Sequence, residues 1–496
     1  MLMNLTRKSR FPGLVAIAAC LGITGCAVGP NFKKPAAPDV PGYAPAPPST
    51  TSSSANVTGG EAQQFVPGSD IPGEWWTLFH SKPLNDLIER SLKNNPDLKA
   101  AQAALRVARE NVLAQRGAYY PSVSGGFSAT RAKTSNDISP VPNANLFQYS
   151  LFTPEVSVSF VPDVFGLNRR TVESLRAQEQ QARFALAATH ITLSSNVAAA
   201  AIEEASLRAQ IDATQQLIEI NSHMLQILRT QFVKGYVGRL DVAAQESQLA
   251  QVTATLPPLL KQLAQQRDLL AALSGGFPNQ DLPESFELAS LQLPQALPVS
   301  LPSQLVEQRP DVRQAEETLH SASAQIGIAR ANRLPSFALT GDVGSMALAF
   351  GKIFSAGTGF RDITAGITQP IFEGGTLLHR ERAARAAYVE AEEQYRSTVL
   401  IALQNVADTL HALEQDADGL KAAAAARDAA KATLDLTTRQ MQVGYVSYLT
   451  LLSAEQTYQQ SLINLVQAQS NRYADTAALF QALGGGWWNR PDVPKN

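Results

Sequence analysis

From Leu167 to Lys234 the chain runs 68 residues without glycine or proline, and from Thr376 to Val443 it runs another 68 with Gly419 as the single exception. At ~1.5 Å per residue, an uninterrupted helix of that length spans on the order of 100 Å, several times the width of a compact domain. The apolar positions Leu207, Ile211, Thr214, Ile218, Leu225, Leu228 and Phe232 step by three, four or seven, as do Leu403, Val406, Leu410, Leu413, Ala417, Leu420 and Ala424. That is coiled-coil spacing, so the chain is expected to bury long helices against one another. Each stretch ends in Gly-Tyr-Val, at Gly235-Tyr236-Val237 and at Gly444-Tyr445-Val446, and a return arm follows: Arg239 to Leu273 in one case, Tyr445 to Leu483 in the other. Pro257-Pro258 predicts a kink or break in the first arm, because proline inside a helix costs ~3 kcal/mol.

The pairing of these stretches is part of a duplication. Asn95-Pro96-Asp97-Leu98 matches Arg309-Pro310-Asp311-Val312 at an offset of 214, and Tyr120-Pro121-Ser122 matches Leu334-Pro335-Ser336 at the same offset. Pro162-Asp163-Val164-Phe165-Gly166 then matches Pro370-Ile371-Phe372-Glu373-Gly374 at 208, the Gly-Tyr-Val pair at 209, and Leu273-Ser274-Gly275-Gly276 matches Leu483-Gly484-Gly485-Gly486 at 210. Five matches in one order describe two copies of one unit, interleaved into one body. The expected organisation is a leader at 1–25, an extended tether at 26–73, a first repeat at 74–276, a Pro-rich connector at 277–302, a second repeat at 303–486 and a tail at 487–496.

Within each copy an Ala- and Arg-rich helix, Leu98 to Gln115 or Val312 to Asn332, leads into two segments of period-two patterning. Val156, Val158 and Phe160 alternate with Glu155, Ser157 and Ser159, and Phe337, Leu339 and Val343 fall opposite Ser336, Thr340 and Asp342. Strands are predicted near Tyr120 to Arg131, Phe152 to Pro162, Leu334 to Met346 and Phe360 to Phe372, each about the ~9 to 11 residues of a tilted membrane strand. Patterning alone fits a soluble sheet with one wet face equally well. The long helices on the same chain favour the membrane reading. Four strands cannot close a barrel, for which about eight is the practical minimum, and an open edge in lipid leaves backbone groups unsatisfied. Several chains are then expected to share one barrel, continuous with a tube of paired helices.

Arg7, Lys8 and Arg10 precede an apolar run from Phe11 to Gly25 that is too short to span a membrane. It reads as an export leader. The run ends Leu21-Gly22-Ile23-Thr24-Gly25-Cys26, which resembles the lipobox of bacterial lipoproteins, so Cys26 is the expected first residue of the mature chain and its site of lipidation. Cleavage removes Cys20 and leaves no second cysteine for a disulfide. Ala27 stands where relatives retained at the inner membrane carry aspartate, so the resemblance points to the outer membrane.

Other functions find little support. Loss of the leader's three positive residues takes the formal charge from −2 to −5, and no basic excess is available for nucleic acid. The six histidines form no His-x-x-x-His pair, no Gly-Lys-Ser/Thr loop is present, and Gly484-Gly485-Gly486 ends a helix instead of cradling a phosphate. Neither an enzyme nor a cofactor beyond the lipid on Cys26 is expected.

Taken together, Cys26, Glu74-Trp75-Trp76-Thr77-Leu78-Phe79, Pro83-Leu84-Asn85-Asp86-Leu87, Asn95-Pro96-Asp97-Leu98, both Pro-Ser strand starts and Gly444-Tyr445-Val446-Ser447-Tyr448-Leu449-Thr450-Leu451-Leu452 carry a family resemblance. The chain resembles the NodT-type outer-membrane efflux lipoproteins, the outer components of tripartite RND-type pumps of Gram-negative bacteria, over nearly all of 26–486. The resemblance implies a mixed, mainly α fold: a long coiled-coil helical barrel plus a membrane β-barrel of four strands per chain in a homotrimer. It implies two partners, a periplasmic adaptor (membrane fusion) protein and an inner-membrane RND-type transporter, and a passive route for drugs or other small molecules. The helix-to-helix turns become periplasmic tips, with adaptor docking at Gly235, Tyr236, Val237, Gly238 and Arg239 and at Gly444, Tyr445, Val446 and Ser447. The closed aperture falls at Asp241, Leu449, Thr450, Leu452 and Ser453.

The alternatives on the residues themselves are solvated decoration for Arg239 and Asp241, and coiled-coil core for Leu449 and Leu452. Thr450 and Ser453 stand where relatives often have aspartate, so a ring of fixed charge is not expected. A periplasmic coiled-coil adaptor lipoprotein would account for the helices and Cys26 but gives no reason for four alternating strands. A channel for type I protein secretion shares every feature.

Overall fold

The computed structural model describes residues 27–44, 49–133, 148–280 and 282–491 of the 496-residue chain. In chain order these form β1 (Gln64–Pro67), α1 (Lys82–Asn94), α2 (Pro96–Arg116), β2 (Ser122–Lys133), β3 (Gln148–Phe160), α3 (Leu167–Val233) and α4 (Arg239–Leu273). There follow β4 (Ala296–Val299), α5 (Pro302–Gln308), α6 (Pro310–Ala331), β5 (Ser336–Ser345), β6 (Gly359–Thr368), α7 (Thr376–Gln442) and α8 (Tyr448–Ala482). The leader and Cys26 lie outside the described residues.

Each long stretch is one helix of 67 residues, and each return arm is one helix of 35. The break expected at Pro257-Pro258 does not occur, since α4 runs through both prolines. The carbonyls of Thr253 and Ala254 lose their N–H partners there, but all four residues are exposed and water can replace the missing donors. One window of α3 is apolar enough to cross a membrane by length and composition, yet 67% of it is buried in protein, as in a core helix.

The chain divides into two compact units that cut across the repeats, so each draws on both copies. The first comprises Met1–Lys34, Arg106–Gln180 and Glu316–Gln394, and the second Pro35–Leu105, Gln181–Ala315 and Tyr395–Asn496.

The first unit holds a four-stranded antiparallel sheet in the order β2-β3-β5-β6. Its register sets Val123 opposite Val158, Val158 opposite Gly341, and Gly341 opposite Ile363. The alternation of the pleat therefore places Val123, Phe127, Val156, Leu339, Ile363 and Ile367 on one face. Ser122, Ser124, Ser157, Ser159, Thr340 and Thr364 occupy the other. Most of the apolar face is exposed, with Val123, Ile363 and Ile367 at 67%, 83% and 70%, while Phe350 of the β5–β6 connection packs edge-on against Phe127 and Phe152. The strand positions differ from expectation by a few residues. β6 ends at Thr368 instead of Phe372, because Pro370 has no N–H for the ladder, and β3 begins at Gln148, where it pairs with Lys133.

The second unit contains the aromatic core. Trp75, Trp76, Phe79, Phe286 and Phe480 are at most 1% exposed, and Trp75 stacks on Phe480 with ring centroids 5.3 Å apart. Here the tether and connector depart from expectation: β1 and β4 pair in parallel, Gln64 to Ala296, and Phe65, Ile71, Leu291 and Leu297 are buried in the same core. Enough apolar side chains stand among the Pro and Ser residues to make burial favourable. The helical seams are those expected along α7, where Val406, Leu410, Leu413, Ala417, Leu420 and Ala424 are buried. On α3 the seam passes through Leu207, Ile211, Thr214, Leu217, Asn221, Leu225 and Leu228; Leu217 is buried in place of the expected Ile218, and Phe232 is exposed instead of closing the stripe.

Candidate functional site

Both Gly-Tyr-Val turns are built by one backbone device. Gly235 and Gly444 adopt φ of +79° and +82°, the left-handed region that reverses a helix end at little cost only for glycine. The Tyr236 N–H donates to the Gln231 carbonyl and the Tyr445 N–H to the Gln440 carbonyl, both at 2.9 Å, so the last turns of α3 and α7 are satisfied by the chain that leaves them. Gly238 and Ser447 then start the return helices in extended conformation.

The starts differ chemically. In the first copy Asp241 Oδ2 accepts from the Gly238 N–H at 3.0 Å, so this carboxylate caps α4. In the second, Thr450 holds the equivalent place and its hydroxyl lies 3.1 Å from that of Ser447. Of the predicted residues, Tyr236, Arg239, Tyr445, Ser447, Leu449, Thr450 and Ser453 are exposed, and Val237, Asp241 and Val446 are half-buried. Leu452 is half-buried in an apolar cluster formed by Leu228, Tyr448 and Leu451 with Met224, Val237, Val242, Leu434 and Met441, so within the chain it lines the core of the tips and not an opening. This cluster draws on α3, α4, α7 and α8 together, and it makes the two tips one packed object.

Four features of the tips escaped the sequence reading. Leu240, counterpart of Leu449 at the offset of 209, is 74% exposed, and that offset alone would have found it. Gln245 Nε2 donates to Asn221 Oδ1 at 3.0 Å in a buried polar pair. Arg229 and Glu246 form an exposed ion pair at 2.7 Å. Glu455 is buried, and burial pushes its carboxyl up to about 7. Burial also raises the Tyr448 hydroxyl, helped by the nearby Glu455 and Asp241 charges.

In the first unit the residues just after Cys26 are held in place. The Val28 N–H donates to the Phe165 carbonyl at 3.1 Å, and the nearly buried Arg170 donates to Val28 O, Gly29 O and Asn31 Oδ1. Phe32 stacks on His320 at 4.3 Å. That histidine lies between Glu173 and Glu317 at 3.2 and 3.3 Å, which hold it protonated with its pKa raised to about 9. No cluster of metal-ligating side chains is found among the described residues.

A sheet with one largely apolar, exposed face and one hydroxyl-lined face, on a chain with two very long helical hairpins, defines a class: outer-membrane channels that combine a strand region with long helices. The sequence profile of the family described as "Outer membrane efflux protein" matches residues 87–276 and 301–485, and the chain belongs to that family. It is an outer-membrane channel component of an efflux system, and the periplasmic adaptor reading is set aside.

Among relatives, the probable efflux pump outer membrane protein TtgC of Pseudomonas putida is 28% identical over 484 residues, covering 96% of each chain. The pyoverdine export outer membrane protein OpmQ of the same species is 28% identical over 418 residues, covering 83% of this chain and 88% of its own. Among solved structures, VceC of Vibrio cholerae superposes with a TM-score of 0.78 at 26% identity over 84% of this chain and all (100%) of its own. The outer-membrane channel OprN gives 0.83 over 93% of this chain and 100% of its own, and at 24% identity it speaks for the fold alone.

Proposed function

We propose that three copies of the chain close a twelve-stranded barrel in the outer membrane and a helical tube in the periplasm, forming a passive conduit for drugs or other small molecules. The observation that carries this reading is the four-stranded sheet, whose β2 and β6 edges are unpaired among the described residues and whose apolar face is largely exposed. In lipid those edges need partners, and a further copy offers β2 to β6. Cys26 carries the lipid anchor. The chain performs no chemistry of its own, so the energy comes from an inner-membrane RND-type transporter, linked through a periplasmic adaptor that docks at Gly235–Arg239 and Gly444–Ser447.

The exposed Leu240 and Leu449 occupy equivalent places on the first turn of each return helix. In a trimer they supply six apolar side chains around the periplasmic end, and with Asp241, Thr450 and Ser453 they form the closed aperture. Conductance of the purified protein in a planar bilayer tests the reading. Wild type is expected to give small, mostly closed events, and Leu449→Ala or Asp241→Ala larger or longer openings. Unchanged behaviour in both variants rejects the aperture assignment, and a monomeric mass for the membrane-extracted protein rejects the shared barrel.

A further inference from the structure

The four strands of the sheet carry six charged residues, and these are sorted by face as well as by sign. Arg131, Lys133 and Arg361 fall on the apolar parity: Arg361 pairs with Val343, Arg131 with Ser150 and Lys133 with Gln148. Glu155, Asp342 and Asp362 fall on the hydroxyl-bearing parity, with Asp342 directly opposite Asp362. The bases are also sorted along the strands. Lys133 is the last residue of β2, Arg131 the third from last and Arg361 the third of β6, so all three stand at the end of the sheet away from the long helices. All three are exposed. The connection from β5 to β6 adds the exposed Lys352 and no acid; the one acid in the sequence joining β2 to β3, Asp137, lies outside the described residues.

Three cations on a lipid-facing surface are costly unless matched by opposite charge. Among the described residues of the sheet the carboxylates all fall on the other face, so the sheet itself does not neutralise the three bases. Nor does Gln148: with its amide oxygen turned to Arg131, it accepts from the guanidinium at 2.8 and 3.1 Å, which orients that group without neutralising it. Within one sheet the register sets Arg361 level with Gly125, so Arg131 lies three strand spacings across and six residues along, about 24 Å away. When β6 of one copy meets β2 of the next, Arg361 stands on the strand next to the one bearing Arg131 and Lys133, one strand spacing of ~5 Å away.

We propose that these bases form an anion-binding fringe at the exterior rim of the barrel, at each seam between copies, which holds the phosphate groups of anionic lipid headgroups in the outer leaflet. The proposal rests on the trimeric barrel proposed above. The apolar face below the fringe takes the acyl chains, and the guanidinium forks of Arg131 and Arg361 suit phosphate oxygens.

Native mass spectrometry of the full-length protein tests it, with lipid A or its dephosphorylated form presented in mixed micelles. Wild type should retain lipid A about 100-fold better than the dephosphorylated lipid, at roughly fivefold for each base, and the preference should shrink as salt rises. Arg131→Gln/Lys133→Gln/Arg361→Gln should lose that preference, whereas Glu155→Gln on the opposite face should keep it. If the triple variant does not assemble, Arg361→Gln alone should lose about fivefold. Equal retention of the two lipids by wild type, or unchanged preference in the variants, overturns the fringe. Displacement of lipid A by inorganic phosphate alone points to a free-ion site and overturns the lipid assignment. The same spectra report assembly: a monomer mass defeats the shared barrel, whereas a trimer indifferent to phosphate defeats only this inference.

Discussion

The two tips share a backbone and differ in what secures it. In the first, polar links dominate: Asp241 caps α4, Asn221 and Gln245 form a buried pair between α3 and α4, and Arg229 bridges to Glu246. At the offset of 209, the corresponding residues of the second are Thr450, Ala430 with Ala454, and Thr438 with Glu455. There Ala430 and Ala454 are buried, Tyr448 fills the place of the exposed Arg239, and Glu455 is buried without an arginine. One turn geometry can therefore be held by hydrogen bonds and charge or by packing, and the two solutions respond to different perturbations.

The largest expected effect falls on the packing they share. Leu451 is fully buried in the tip cluster, while Val242, its counterpart, is only half-buried. Leu451→Ala should cost ~2–5 kcal/mol locally, and Val242→Ala clearly less. Hydrogen exchange of the tip amides measures this. Faster exchange at both tips in Leu451→Ala is the expected result; loosening confined to the second would show that the cluster does not couple them.

Next in size is the buried pair. Asn221→Ala leaves the Gln245 amide without one of its acceptors in a buried place, at a cost of ~1–3 kcal/mol. The double variant Asn221→Ala/Gln245→Ala installs the second copy's solution in the first and should recover part of that loss. A double variant worse than the sum of the singles would mean the first hairpin cannot close on alanine.

The same pair marks where sequence reasoning stops. Helix length, duplication, strand parity and both turns follow from spacing, and the structure keeps them. Asn221 and Gln245 sit on a seam whose polar members count against it in any search for apolar period, and Thr214 entered the expected stripe only because its neighbours were apolar. Phe232 shows the opposite error, an apolar residue in phase that the turn leaves exposed. β1 and β4 are four residues each, with prolines, and they exist through a pairing across more than 200 residues of sequence. The burial of Glu455 is likewise invisible beside Glu246, which has the same residue type and register in the other copy.

Glu455 distinguishes the tips by pH. Its folded pKa of about 7 lies above the ordinary carboxyl value, so the stability it lends is fully present below the unfolded pKa and is lost as pH rises through 7. Protection at the second tip, corrected for the intrinsic base-catalysed exchange rate, should fall between about pH 4.5 and 7 and level off above, and Glu455→Gln should flatten the change. Asp416, pushed to about 7 by burial and by its neighbour Asp475, titrates in the same window. It precedes Gly444 by 28 residues on the same hairpin, about 40 Å along a helix, so a readout local to the tip separates the two. A pH response unchanged in Glu455→Gln assigns it elsewhere.

The smallest effect is expected where the first tip shows its charge most openly. Arg229 and Glu246 are 61% and 48% exposed, and water and salt screen such a pair to ~0–1 kcal/mol. Arg229→Ala should therefore barely change exchange at the first tip, and the small change should vanish at high salt. The comparison gives this near-zero result its value. The second copy has Thr438 opposite Glu455 and holds the same turn, so the ion pair is dispensable for the fold of the tip. If Arg229→Ala nevertheless altered conductance without altering exchange, the exposed charge would act on what meets the tip, and the polar solution of the first copy would be serving docking and not stability.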